Sequence, residues 1–292
     1  MKSFLSGVGV AWGVTCLSSA GSLFALAPPQ SESPAKLGAC TRQIDGLREP
    51  TGVAFAPDGS LYVAESLARQ VRVIDKDGKT VRTYGDGKLG DPRDVAICPD
   101  GRCVIADAGM RGLIVFEPSG KGSVLETQLS KGGHSAPEGI DVQGELVAAA
   151  YPLEDRVVVL KLDGGFVNVL GGSGDDDGML NHPSDVAFAK DGSLFVADMF
   201  HQRVQCFSKA GKFVRAFGSP GPNPGQLAFP SGIAVHGDFV HVVDRDNSRV
   251  QIFTTKGELD SWYGIHALRP REGQGKVHYP LRVALNADGT RA

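Results

Sequence analysis

Aromatic residues are scarce in this chain of 292 residues: they make up 7 %, with two tryptophans and five tyrosines. A core built on stacked rings is therefore excluded, and Val, Ile, Leu and Ala must fill it. Net charge is also nearly absent, at -3. No global basic field exists to draw in nucleic acid, although a local basic face stays open. Five cysteines are present, but no Cys-x-x-Cys pair, phosphate-cradling Gly loop or Gly-x-Ser-x-Gly elbow occurs, which removes the commonest zinc, redox, nucleotide and hydrolase signatures. Beyond residue 27 no apolar run is long enough to span a bilayer. What the chain has in quantity is glycine, 39 residues, and proline, 17. That mix suits many short strands joined by tight turns and argues against long helices.

The first 27 residues differ from the rest. Lys2 is their only charge, and small and apolar residues run from Phe4 to Ala27. This pattern reads as a secretory signal, with Ser18-Ser19-Ala20 the preferred cleavage site over Ala25-Leu26-Ala27, which Pro28 follows. The expected location is secreted or lumenal. A membrane anchor and an organelle-targeting leader are the alternatives. Residues 28–38 read as a linker, and residues 39–292 as one all-β domain. Cys98 and Cys103 flank the turn Pro99-Asp100-Gly101-Arg102. They read equally as a cross-hairpin disulfide and as two small apolar fillers. Cys40 and Cys206 cannot be paired by inspection.

The strongest signal is a repeat. Gly52-Val53-Ala54-Phe55, Asp94-Val95-Ala96-Ile97, Gly139-Ile140-Asp141-Val142, Asp185-Val186-Ala187-Phe188, Gly232-Ile233-Ala234-Val235 and Arg282-Val283-Ala284-Leu285 align, each with a proline two residues earlier. The intervals are 42, 45, 46, 47 and 50 residues, a period that fits a four-stranded propeller blade. Asp58-Gly59, Asp100-Gly101, Asp191-Gly192 and Asp288-Gly289 follow as hairpin turns, where glycine accepts positive φ. The units run at about 48–90, 91–134, 135–180, 181–228 and 229–278, with a partial unit at 279–292.

Two units carry a specific resemblance. Pro183-Ser184-Asp185-Val186-Ala187-Phe188 with Leu194-Phe195-Val196-Ala197-Asp198 and Arg203-Val204-Gln205-Cys206-Phe207 resembles the NHL repeat. So does Pro230-Ser231-Gly232-Ile233-Ala234-Val235 with Val243-Asp244, Asn247 and Arg249-Val250-Gln251-Ile252-Phe253. The resemblance covers about residues 48–292. It implies a five- or six-bladed propeller, six being expected here with the last blade incomplete. It implies no single activity, because NHL propellers serve as protein-binding, RNA-binding and enzymatic modules. Residues 39–46 can supply one more strand to the sixth blade. Two strands then remain unaccounted for, which reads as truncation of the sequence.

Two sets of residues invite a role. Each second strand ends in an acid (Glu65, Asp107, Asp198, Asp244; Tyr151 in the third unit), followed by Arg69, Arg111, Arg203, Arg249 and Arg156. A pair repeated in every blade reads as structural, with the carboxylate accepting from loop N–H groups or the Arg fork. The starts of the first strands are more individual and would ring one mouth of the channel: Arg93, Asp94, Glu138, Asp185 and Arg282, with His182 nearby. They suit a polar ligand or a cation, and Glu138, Asp94 and Asp185 are the metal candidates. No catalytic residue is assigned, and a divalent cation is the one cofactor considered.

Resemblance to peptidyl-amidoglycolate lyases, through Val242-Val243-Asp244-Arg245, implies zinc histidines on the first strands, yet no His follows a repeat proline. Resemblance to gluconolactonase-like propellers implies a Glu, met by Glu138, and a companion Asn that is missing. The acidic loop Gly174-Asp175-Asp176-Asp177-Gly178 lacks EF-hand spacing and reads as solvated. RNA binding through Arg69, Arg93, Arg111, Arg156 and Arg203 conflicts with the leader. The leading expectation is a scaffold that binds a protein or a small polar ligand on its loop face, through Arg93, Glu138, Tyr151, His182, Phe200, His201 and Arg282. A metal-dependent enzyme working at the channel mouth is the alternative.

Overall fold

The computed structural model describes residues 14–18, 23–26, 40–125, 135–266, 276–277 and 280–285. It is an all-β propeller. Five blades each contain four consecutive antiparallel strands. In blade 1 these are Pro50–Phe55, Leu61–Glu65, Gln70–Ile74 and Thr80–Tyr84. The first strands of blades 2 to 5 are Pro92–Ile97, Ile140–Gln143, Pro183–Phe188 and Pro230–His236. They touch in cyclic order around the axis.

A sixth four-stranded sheet is composite. Pro280–Leu285 lies innermost, followed by Val14–Ser18, Leu23–Leu26 and Cys40–Ile44. Residues 39–46 do provide the outermost strand. The two strands that the repeat leaves open are filled from within the leader-like segment, whose first 13 residues lie outside the described ones. Contact between Pro280–Leu285 and Pro50–Phe55 closes the ring.

The apolar core is divided among the blade interfaces. Val104, Leu113 and Ala149 pack between blades 2 and 3, and Phe195, Phe217 and Phe253 between blades 4 and 5. Alternation along each strand sends successive side chains to opposite neighbours, so every blade needs both. This register decides the cysteine question. Ile97 pairs with Cys103, which puts Cys98 one residue out of step. Cys98 faces blade 3 and Cys103 faces blade 1, and both are buried free thiols. Burial pushes the Cys98 thiol up to about 11.

Second-to-third strand loops and blade connectors share one face, here the connector face. The Asp-Gly hairpins form the other. The acid ending the second strand in blades 1, 2, 4 and 5 is wholly buried and anchors the preceding connector. Glu65 accepts from Arg48 N, Asp107 from Gly90 N and Asp91 N, Asp198 from Asn181 N, and Asp244 from Ala228 N. The Arg fork joins in blades 4 and 5, with Arg203 Nε 3.0 Å from Asp198 and Arg249 Nε 2.7 Å from Asp244. In blade 1 the partner of Glu65 is Arg72, at 2.8 Å, while Arg69 donates to Leu89 O. Arg72 projects from the strand toward the acid, whereas Arg69 sits in the loop.

Candidate functional site

The first strands meet at the axis with an alternation that the sequence already contains. Gly52, Asp94, Gly139, Asp185, Gly232 and Arg282 occupy one level in blades 1 to 6. Each glycine abuts the next blade's charged residue, and a Cβ on Gly52 or Gly139 would strike the Cα of Asp94 or Asp185. Glycine is needed here for close approach. The three charged side chains therefore converge in one buried layer.

Arg282 lies across that layer. Its Nε is 3.8 Å from Asp94 Oδ2 and 3.9 Å from Asp185 Oδ2, and its Nη2 is 3.9 Å from Glu138 Oε1. Nη1 donates to Ser231 O, and Nη2 to Ser184 O at 3.3 Å. The carboxylates also tie neighbouring blades. Asp94 accepts from Val95 N and from Ile140 N in the next blade; Asp185 does the same with Val186 N and Ile233 N. Asp141 repeats the device two residues further along the chain than Gly139, with Val142 N and Phe188 N.

Burial raises all three aspartates. Asp94 stands well above the usual carboxylate range, with Arg282 pulling it down. Asp185 is pushed up to about 6 and Asp141 to about 7. Burial alone would lower Arg282, but Asp185, Asp94 and Glu138 more than offset it. From this layer a channel of about 180 Å³, lined by Asp94, Asp141, Asp185 and Arg282 as well as by apolar side chains, continues between the first strands toward Phe55, Ile97 and Leu285.

The metal candidates Glu138, Asp94 and Asp185 are thus brought together, but around a guanidinium. Arg282 supplies the positive charge between them, and Asp94 and Asp185 spend oxygens on backbone N–H groups. As arranged, these residues do not fit a divalent cation. Arg282 is a buried plug under the mouth and is not exposed to a ligand. Arg93 remains at the mouth, 2.6 Å from Asp91.

The expected anchors on the connector face divide. Tyr151 is only 5 % exposed and belongs to the core between blades 2 and 3. It stands at the position that buries an acid in the other blades. His201 is turned inward to Asp198 Oδ2, at 2.8 Å, and Asp175. His182 stacks on Phe200 at 4.4 Å; Phe200 meets Phe229 edge-on at 6.0 Å, and Arg245 lies over Phe229 at 5.9 Å. His134 and His278 lie outside the described residues.

Leu67 and Met110, which the sequence did not single out, join Leu153 and Phe200 on this face. Leu67 (56 %), Met110 (47 %), Leu153 (76 %) and Phe200 (49 %) are all exposed, each at the loop tip of one of blades 1 to 4. Three of them stand two residues after the buried position that ends the second strand, a spacing readable from the repeat. Blade 5 carries Asp246 there.

No family model and no curated protein matches the chain. Solved structures do. A chain of the nidogen/laminin complex is similar over 93 % of this chain and 97 % of its own, with a TM-score of 0.72 and 15 % identity. A streptogramin B lyase covers 85 % and 75 %, with a TM-score of 0.62 and 17 % identity. A protein of unknown function from Bacteroides caccae covers 94 % and 98 %, at 0.69 and 15 %. The likeness is one of fold.

Proposed function

We propose that this chain is an NHL-type propeller that works as a binding scaffold, docking a protein partner on its connector face. The observation that carries the reading is the set of exposed apolar tips on one face, Leu67, Met110, Leu153 and Phe200, one on each of blades 1 to 4. Apolar side chains presented together on one face of a rigid frame suit a protein interface, and the His182–Phe200–Phe229–Arg245 ladder adds aromatic and arginine groups of the kind that dominate such contacts. That a propeller of like fold occurs in the nidogen/laminin complex supports the use of such a frame for protein binding.

Export as a secreted or lumenal protein belongs to the same proposal and rests on the leader-like residues 1–27. Cleavage after Ala20 would remove Val14–Ser18 from the composite sheet, so cleavage and a filled sixth sheet exclude one another. The mass of the mature chain decides between them.

The docking test is photo-crosslinking from position 153, in the native source, against position 190 on the hairpin face. A discrete adduct from 153 only, lost in a Leu67→Asp, Phe200→Asp variant, is the expected result. Equal adducts from both faces, or none, sink the proposal. Stoichiometric zinc or calcium in the purified chain, lost in Glu138→Gln, Asp185→Asn, would favour the metal-dependent enzyme instead.

A further inference from the structure

Blades 1 and 2 are separated on the outside by a recess of a kind that blades 4 and 5 fill with their own chain. In blades 4 and 5 a long connector lies over the third strand. Gly178 N donates to Gln205 Oε1, and Gln205 Nε2 to Met179 O; Arg203 reaches Asp176 O and Met179 O. Gly225, Gln251, Gln226 and Arg249 repeat the arrangement. The connector into blade 2 is shorter. Leu89 follows Gly85 by four positions, where Leu180 follows Gly171 and Leu227 follows Gly218 by nine. These leucines are equivalent, each buried against its glycine.

The side chains that would hold a loop have changed with it. The strand registers set Gly112 and Ile114 where blade 4 has Arg203 and Gln205, and Gly122 where blade 4 has Phe213. What remains is a recess of about 550 Å³ lined by Tyr84, Leu89, Met110, Ile114, Phe116 and Val124. Its size is that of a small-molecule site, roughly 300–1,000 Å³. Losing the Gln amide and the Arg fork makes its floor a poor host for peptide backbone and a good one for hydrocarbon. The rim is basic: Arg82 and Lys88 line it against one acid, Asp86. Arg82 is oriented by Tyr84, its guanidinium 5.4 Å from the ring centroid and its Nη1 donating to Tyr84 Oη at 2.9 Å and to Pro118 O.

We propose that this recess binds a small amphipathic carboxylate, its hydrocarbon against Tyr84, Ile114 and Phe116 and its anionic group at Arg82 and Lys88. The recess shares Met110 with the docking face, but its floor (Tyr84, Ile114, Phe116) and its basic rim (Arg82, Lys88) take no part in that face, so variants at Lys88 and Val124 test it separately. The test uses the full chain, with octanoate and octan-1-ol as probes, followed by calorimetry and by methyl NMR of Ile114 and Met110.

Octanoate binds once per chain and shifts the Ile114 and Met110 methyl signals, leaving those of Ile233 in place. Lys88→Glu weakens octanoate at least tenfold and leaves octan-1-ol unchanged. Val124→Glu, at a half-exposed edge position, weakens octanoate at least tenfold. Both variants melt within a few degrees of the parent, because both positions face solvent. Absence of saturable octanoate binding, several equivalents bound per chain, or methyl shifts elsewhere would overturn the site. Octanoate binding that Lys88→Glu leaves intact would overturn the anionic half of the assignment, and with it the proposal.

Discussion

The molecule holds its carboxylates in two ways. At the outer end of each second strand, Glu65, Asp107, Asp198 and Asp244 recur in register and grip the connector backbone. At the axis, Asp94 and Asp185 alternate with glycines and face one arginine from the sixth blade. The outer acids are locally satisfied: each anchors its own blade to the connector before it. The axial acids share a counter-ion delivered by the last described strand. Repetition serves assembly of single blades, whereas the unrepeated layer joins blades that are far apart in sequence.

Deleting residues 1–27 breaks this contrast most severely. It removes two of the four strands of the composite sheet and leaves Pro280–Leu285, the strand that carries Arg282, without its outer partner. We expect melting to fall by more than 10 °C and the exposed strand edges to drive self-association, read by calorimetry and light scattering.

Arg282→Met comes next. Removing one partner of a buried ionic cluster costs about 3–5 kcal/mol, measured by urea unfolding at pH 8. The cost shrinks near pH 4, where Asp94 and Asp185 become protonated and need no counter-ion. Asp198→Ala should cost about 3 kcal/mol, through lost charge-assisted hydrogen bonds and an unpaired Arg203. Its effect should add to that of Arg282→Met, because the two sites share no partner.

A smaller effect is the pH dependence. Asp141 and Asp185 have folded values raised to about 7 and about 6, above those of the unfolded chain. The folded state therefore holds protons that the unfolded state has released. Stability is full below about pH 4 for these two groups and declines as pH rises toward 7. Thermal melts across that window should show the decline, and Asp141→Asn should flatten it. The smallest change is Leu153→Asp, expected to alter stability by less than about 0.5 kcal/mol while weakening partner capture.

The fold was legible because proline, the Val-Ala core strand and the Asp-Gly turn recur at a blade's length. The outer acids were legible as structural for the same reason. Tyr151 was misread as an exposed anchor because it replaces an acid at the end of a strand; the repeat gives its position but not that the position is buried in every blade. The Gly–charge alternation stands in the sequence. It acquires meaning only when the ring sets Gly52 beside Asp94 and Gly232 beside Arg282, and that closure places Arg282 between the supposed metal ligands. The recess was illegible for another reason: it is made by residues that are missing from a connector and by an isoleucine where blades 4 and 5 carry glutamine.

The composite sheet also sets a timetable. Val14–Ser18 leaves the ribosome early, but its innermost neighbour, Pro280–Leu285, is made last. At about 5–20 residues per second the early strands wait on the order of ten seconds or more with their pairing partner unsynthesised. Blades 1 to 5 can each fold meanwhile from consecutive chain. The clasp is the one long-range step, and it sets when the newborn chain ceases to offer open edges to its neighbours.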